Sequence, residues 1–219
     1  MDQRPPRGAD ESAVISAVVA GSAAKAGGSG LPRWARSARV RFGGAIPPLW
    51  LFTDSRRLPN PRAAVACLPK GIAGVVLRHD DDPRRAILGR DLARICRARR
   101  LVLVVAGDVR LAAALRAGVH LRGGRWPSPV RRKGLHTSSA HGAVDLRRAR
   151  LAGAAVAFLS PLFPTASHPG APALGATRWT NLARAARMPV AALGGMTGRT
   201  VRHLPPRLCR GVGAIGALA

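Results

Sequence analysis

Acidic residues are scarce: 10 aspartates and glutamates stand against 36 lysines and arginines, a formal net charge of +26. Such an imbalance ordinarily raises nucleic acid as a partner. Lysine is scarce as well, being confined to Lys25, Lys70 and Lys133, and the arginines are scattered among Ala, Gly and Pro along the whole length. That scatter resembles coding bias in a GC-rich genome more than a patch selected for a ligand. Zinc-finger spacing and aromatic RNA-binding motifs are missing, and the stacking candidates are Phe42, Phe52, Phe158, Phe163, Trp34, Trp50, Trp126 and Trp179. Specific nucleic-acid recognition is therefore not expected, whereas non-specific binding at low salt is. Cys67, Cys96 and Cys209 are too few and too widely spaced for a disulfide framework or a metal motif, and read as buried thiols in a reducing compartment. The apolar segment 13–24 is too short to span a bilayer and follows Asp10 and Glu11, where a signal peptide wants positive charge. No membrane association is expected, and the cytoplasm is the expected compartment.

What the chain does have is apolar side chain, 47% of 219 residues, enough for a sizeable core. Residues 1–44 lack sustained periodicity; a short helical run at 12–25 is broken by Gly27, Gly28 and Gly30, and the whole stretch reads as a disordered extension. From Pro47 onward, short apolar runs recur at 49–52, 73–77, 101–105, 119–121, around Leu135, and at 154–159, 190–193 and 212–215. Helical spacing lies between most of them, at 84–99, 109–116, 143–151 and 178–187. Alternation of this kind predicts parallel strands with crossover helices, and eight strands predict a (β/α)₈ TIM barrel over residues 45–219. The fit is tight. The link between the fourth and fifth strands is rich in Arg and Pro and shows little helical promise. The last strand leaves no room for an eighth helix of ordinary length. Either the barrel is incomplete at that helix, or its closing surface comes from the N-terminal stretch or from a second subunit in a homodimer.

The stretch 159–175 opens from the sixth strand into a loop punctuated by Pro and Gly that carries Thr165, Ser167 and His168, groups able to hold a phosphate; a stiff connection is the alternative. In a barrel, reactive groups gather at the C-terminal ends of the strands. There the chain supplies Thr53, Asp54, Arg78, His79, Asp80, Asp108, His120, Ser138, Ser139, His141, and the glycine pair Gly194-Gly195, which permits close backbone approach to a phosphate. His120, flanked by Val119 and Leu121, reads as a core histidine. Asp82 before Pro83 reads as a helix cap, and Asp80 as a magnesium contact.

Several motifs run in order along these strands: Leu49-Trp50-Leu51-Phe52-Thr53-Asp54, Leu77-Arg78, Gly118-Val119-His120-Leu121, Ser139-Ala140-His141, Phe163-Pro164-Thr165-Ala166-Ser167-His168 and Ala192-Leu193-Gly194-Gly195-Met196-Thr197. On these, the chain from about Pro48 to Ala219 resembles the thiamine phosphate synthase family together with its thiazole tautomerase branch. The resemblance implies a (β/α)₈ barrel that joins hydroxymethylpyrimidine pyrophosphate to a thiazole phosphate, with Mg²⁺ and basic groups drawing charge off the departing pyrophosphate. It implies that Arg78, Ser139, Thr165 and Ser167 face the pyrophosphate, that Gly194 and Gly195 contact substrate phosphate, and that Asp80 and Asp108 stand nearest the metal. Small phosphorylated molecules are the implied substrates.

The chain departs from the family pattern at Val76 and Asp80, where Gln and Lys are expected, at His168 for Lys, at Ala117 for Asp, and at Gly216 for Ser. His168 replaces a permanent charge with one that titrates near neutrality. Three functions follow as alternatives: a synthase of reduced activity; a tautomerase using His141 as general acid and base; or a non-catalytic barrel that binds a phosphorylated ligand.

Overall fold

The computed structural model describes residues 30–127, 134–165, 170 and 172–218. Ser167 and His168, like the helical run expected at 12–25, lie outside them. Eight parallel strands close in sequence order into a barrel: β1 (Leu49–Phe52), β2 (Ala73–Leu77), β3 (Val102–Ala106), β4 (Gly118–Leu121), β5 (His136–Ala140), β6 (Val156–Leu159), β7 (Val190–Leu193) and β8 (Cys209–Ala214). Closure is made by β1 against β8, with Leu49 opposite Val212 and Leu51 opposite Ala214. This is the (β/α)₈ architecture that the alternating runs predict.

Most of the strands are buried on both faces and read as continuous apolar runs, as parallel strands covered by helices must. Alternate residues divide between two cores. Leu49, Leu51, Val75 and Leu77 point outward to the helices, while Trp50, Phe52, Val76, Val104 and Phe158 fill the barrel. The interior is an aromatic plug in which Phe52 meets Phe158 edge to face at 4.8 Å and Trp50 meets Phe158 at 5.4 Å. Glycine makes this possible at two positions: a Cβ on Gly74 would fall 2.5 Å from the Trp50 ring, and one on Gly213 would fall 2.7 Å from Phe52. The Trp50 indole N–H donates to the Pro47 carbonyl at 2.6 Å, so its polar edge is satisfied inside.

The helices are α1 (Leu31–Phe42), α2 (Arg62–Cys67), α3 (Arg85–Ala98), α4 (Val109–Ala114), α5 (Ala143–Leu151) and α6 (Gly175–Ala185), with short 3₁₀ turns at Thr200–His203 and Gly216–Leu218. α1 corrects the expected boundary at residue 44, because it is part of the folded unit. Leu31, Ala35 and Ala38, at helical spacing, are buried against β8 and β1. Arg39 donates to the Gly71 carbonyl at 2.7 Å and also to Gly44, and the Arg210 guanidinium lies 4.2 Å from the centre of the Phe42 ring. α1 therefore covers the outer face that an eighth helix would cover, since β8 runs into only the short Gly216–Leu218 turn. The N-terminal stretch supplies that surface.

Two further differences concern the loops. Asp82 is not the N-cap of α3. Its carboxylate accepts the Arg84 N–H at 2.7 Å and its carbonyl accepts the Arg85 N–H at 2.9 Å, which builds a turn one step earlier, and the N-cap residue Arg84 makes no side-chain cap. Asp108 does cap a helix: its carboxylate accepts the N–H groups of Arg110 and Leu111 and opens α4. Between β4 and β5 the described residues form no helix, in keeping with their composition. None of the described helices is long and apolar enough to cross a membrane.

Candidate active site

A cavity of about 920 Å³ opens at the C-terminal ends of the strands, floored by Phe52 and His120. Of the residues singled out in the sequence, Arg78, Asp80, Ser139, His141, Thr165, Gly194 and Gly195 all line it. Asp108 does not, and Thr53 and His79 are used internally. The Thr53 hydroxyl accepts the Arg78 backbone N–H at 2.9 Å and bonds His79 Nδ1 at 2.9 Å, which fixes the turn that presents Arg78.

His120 is the core histidine its neighbours predict, and it also faces the cavity. Its Nδ1 bonds the Thr137 hydroxyl at 2.8 Å, and its ring stands edge to face with Phe52 at 5.6 Å. Burial, aided by the charges of Arg78 and Arg122, pushes its pKa from the ordinary 6.5 down to about 3. The floor of the site is therefore a neutral imidazole.

The wall formed by β5 is built from hydroxyls and one histidine. Ser138 and Ser139 accept the N–H groups of Gly124 and Gly123, at 2.9 and 3.2 Å, and so pin the turn that follows β4. His141 Nδ1 lies 2.9 Å from the Ser160 carbonyl. A carbonyl only accepts, so Nδ1 carries the proton and Nε2 of the neutral ring keeps its lone pair. The His141 backbone N–H donates to Asp145, whose other oxygen pairs with Arg148 at 3.4 Å.

Two strands further round, after β7, Gly194 and Gly195 sit at φ +93° and +65° against the loop after β6. A Cβ on Gly195 would fall 2.7 Å from Phe163 Cβ and 2.8 Å from the Pro164 carbonyl oxygen. Only glycine suits this position, on grounds of both backbone conformation and space. Thr200 locks the next turn, its hydroxyl donating to the Gly195 carbonyl at 2.9 Å and accepting the Thr197 N–H at 2.8 Å.

Arginines overlooked in the sequence complete the rim: Arg57, Arg122, Arg125 and Arg148 also line the cavity. Arg122 and Arg125 flank the Gly123-Gly124 turn directly after the Gly118–Leu121 strand, and that adjacency was the available signal.

The carboxylates expected near a metal are engaged otherwise. Asp80 pairs with Arg122 at 2.6 Å and with Arg85 at 3.2 Å, and Asp108 spends one oxygen on the α4 cap while the other lies 3.9 Å from Arg85. Among the described residues no group of three or more His, Cys, Asp or Glu is placed to hold a metal ion. With both expected carboxylates held by arginines, the donor set of the described residues does not fit Mg²⁺.

Strand ends that present arginines, hydroxyls and a glycine pair around one cavity define a (β/α)₈ barrel with its candidate site at the C-terminal face of the strands. A family model described as thiamine monophosphate synthase matches residues 49–218, and the chain belongs to that family. The thiamine-phosphate synthase of Roseiflexus castenholzii is 32% identical over 186 residues, covering 78% of this chain and 80% of that one. Among solved structures, thiamine phosphate pyrophosphorylase from Pyrococcus furiosus superposes with a TM-score of 0.66 at 22% identity, over 77% of this chain and 85% of that one. The enzyme of that name from Bacteroides thetaiotaomicron gives 0.54 at 17% identity, over 78% and 84%. At these identities the two structures speak for the fold.

Proposed function

We propose that the protein is a transferase of thiamine biosynthesis that joins hydroxymethylpyrimidine pyrophosphate to thiazole phosphate, releasing pyrophosphate and forming thiamine phosphate. The observation that carries this is the cavity itself, which gathers Arg78, Ser139, Thr165 and Gly194-Gly195 from four separate strand ends onto one mouth in a chain of this family.

The pyrimidine methylene loses its C–O bond as the pyrophosphate departs with the electron pair, and the thiazole nitrogen then forms the new C–N bond. Arg78 offers its guanidinium to the departing diphosphate, since charge-assisted and bidentate bonds to phosphate are the strong ones. Thr165 and Ser139 add hydroxyl contacts from the β6 and β5 ends of the mouth, and Gly195 lets a second phosphate approach the backbone. His120, held neutral, lets the aromatic floor carry a polar edge without repelling a cationic intermediate. Small phosphorylated molecules in the cytoplasm are the substrates on this reading.

One observation favours a second reading. His141, its Nδ1 held by the Ser160 carbonyl, lines the same cavity, and an oriented imidazole beside a substrate is what a proton shift requires.

Purified protein is to be supplied with both substrates and product formation followed. Thiamine phosphate and pyrophosphate are expected in equal amounts, with at least about a tenfold loss in Arg78→Gln, the equivalent of one strong charge-assisted bond. No product at high protein concentration removes the transferase. Tautomerisation of a thiazole carboxylate phosphate that vanishes in His141→Ala would put the second reading in its place.

A further inference from the structure

We infer that the barrel mouth holds its diphosphate without a divalent cation, guanidinium groups supplying the charge that a metal would supply. This rests on the transferase reading and goes beyond it in naming how the leaving group is neutralised.

Arg85 carries the first part of the argument. It rises from the first turn of α3, and its side chain is only 15% exposed. Its guanidinium lies between the C-terminal ends of β2 and β3, donating to the Ala106 carbonyl at 2.6 Å while facing Asp80 at 3.2 Å and Asp108 at 3.9 Å. A Mg²⁺ ion demands near-octahedral oxygen ligands and is usually anchored by one or two carboxylates. To use Asp80 and Asp108 it would have to displace a cation that is itself tied to a strand-end carbonyl. Moving Arg85 away would strand both that carbonyl and a buried charge, and such losses are expensive. The place between these two carboxylates is already filled by a positive group of the protein.

Charge balance carries the second part. Arg57, Arg78, Arg122, Arg125 and Arg148 line the cavity, against Asp80 and Asp145. Both carboxylates already have partners: Asp80 pairs with Arg122 and Arg85, and Asp145 with Arg148 and the His141 N–H. The lining thus keeps a surplus of positive charge and offers no uncommitted acidic oxygen. A planar guanidinium meets phosphate oxygens through two parallel bonds and cannot lose its proton. A diphosphate entering here finds cations in place and needs no metal to make it acceptable to the site.

The test is calorimetric titration of the full chain with inorganic pyrophosphate, first in EDTA and then in millimolar Mg²⁺ at matched ionic strength. One-to-one binding is expected in EDTA. Added Mg²⁺ is expected to leave it unchanged or weaken it, since the ion ties up pyrophosphate in solution. Arg78→Gln and Arg125→Gln are each expected to weaken binding by about tenfold, as loss of a charge-assisted bond would. The wild-type comparison decides the matter even if a variant does not fold. Binding that appears only with Mg²⁺, or tightens tenfold with it, overturns the inference and leaves the transferase standing. Binding untouched by either substitution, or spread over many weak sites, overturns it too. Absence of binding in both buffers removes the metal-free cradle, and absence of turnover as well removes the transferase with it.

Discussion

His120 is the residue through which pH reaches the fold most directly. Buried beneath the cavity, it titrates near 3 rather than 6.5, so between those values the unfolded chain binds a proton that the folded one refuses. Its contribution is complete above pH 6.5 and is lost as pH falls below it, at about 1.4 kcal/mol per unit. Urea unfolding is expected to show about 2 kcal/mol less stability at pH 5 than at pH 7 from this group. His120→Gln should flatten that part of the profile; an unchanged slope in the variant would assign the loss to other groups. That His120 is a core residue was legible from its alternation with apolar neighbours. The fates of Asp80 and Asp108 were not, because a carboxylate's role depends on which cation folds against it. Arg85 and Arg122 reach those carboxylates from α3 and from the turn after β4, a pairing that no local pattern records.

At the scale of elements, α1 is the most exposed to test. Leu31, Ala35 and Ala38 are fully buried beneath it, and truncating a buried leucine costs about 2–5 kcal/mol. Leu31→Ala is expected to lower the urea midpoint accordingly, and a change below about 0.5 kcal/mol would show that α1 is ornamental to the barrel. The strands and the longer helices were readable to within a few residues, since doubly covered strands are unbroken apolar runs. α1 was not, because two of its three buried positions are alanines set among arginines and give little hydropathic contrast. α2 is six residues long, too short to display a period. β5 reads His-Thr-Ser-Ser-Ala, and its polar side chains make sense only beside their partners, His120 for Thr137 and the glycines 123 and 124 for the two serines.

For the whole molecule the dominant quantity is the charge of +26. Spread over the surface, it predicts indiscriminate attraction to polyanions by counterion release. Duplex DNA of any sequence is expected to be retarded in a gel at about 50 mM salt and freed by about 300 mM, with no preference surviving competition. Retention at high salt, or selection of one sequence, would reveal a specific site that the buried aromatics Phe52, Phe158, Trp50 and Trp179 do not provide. The seam at which α1 lies on β8 also bears on how the chain is made. The Arg41 guanidinium bonds the Pro206 carbonyl 165 residues away, so the helix leaves the ribosome on the order of ten to thirty seconds before the strand it covers. Through that interval the apolar stripe of α1 has β1 but lacks β8, the strand it touches most, and the barrel is an open sheet with two raw edges. Vectorial synthesis therefore makes this a protein whose last strand performs two closures at once, and a pause or truncation late in translation would leave both undone.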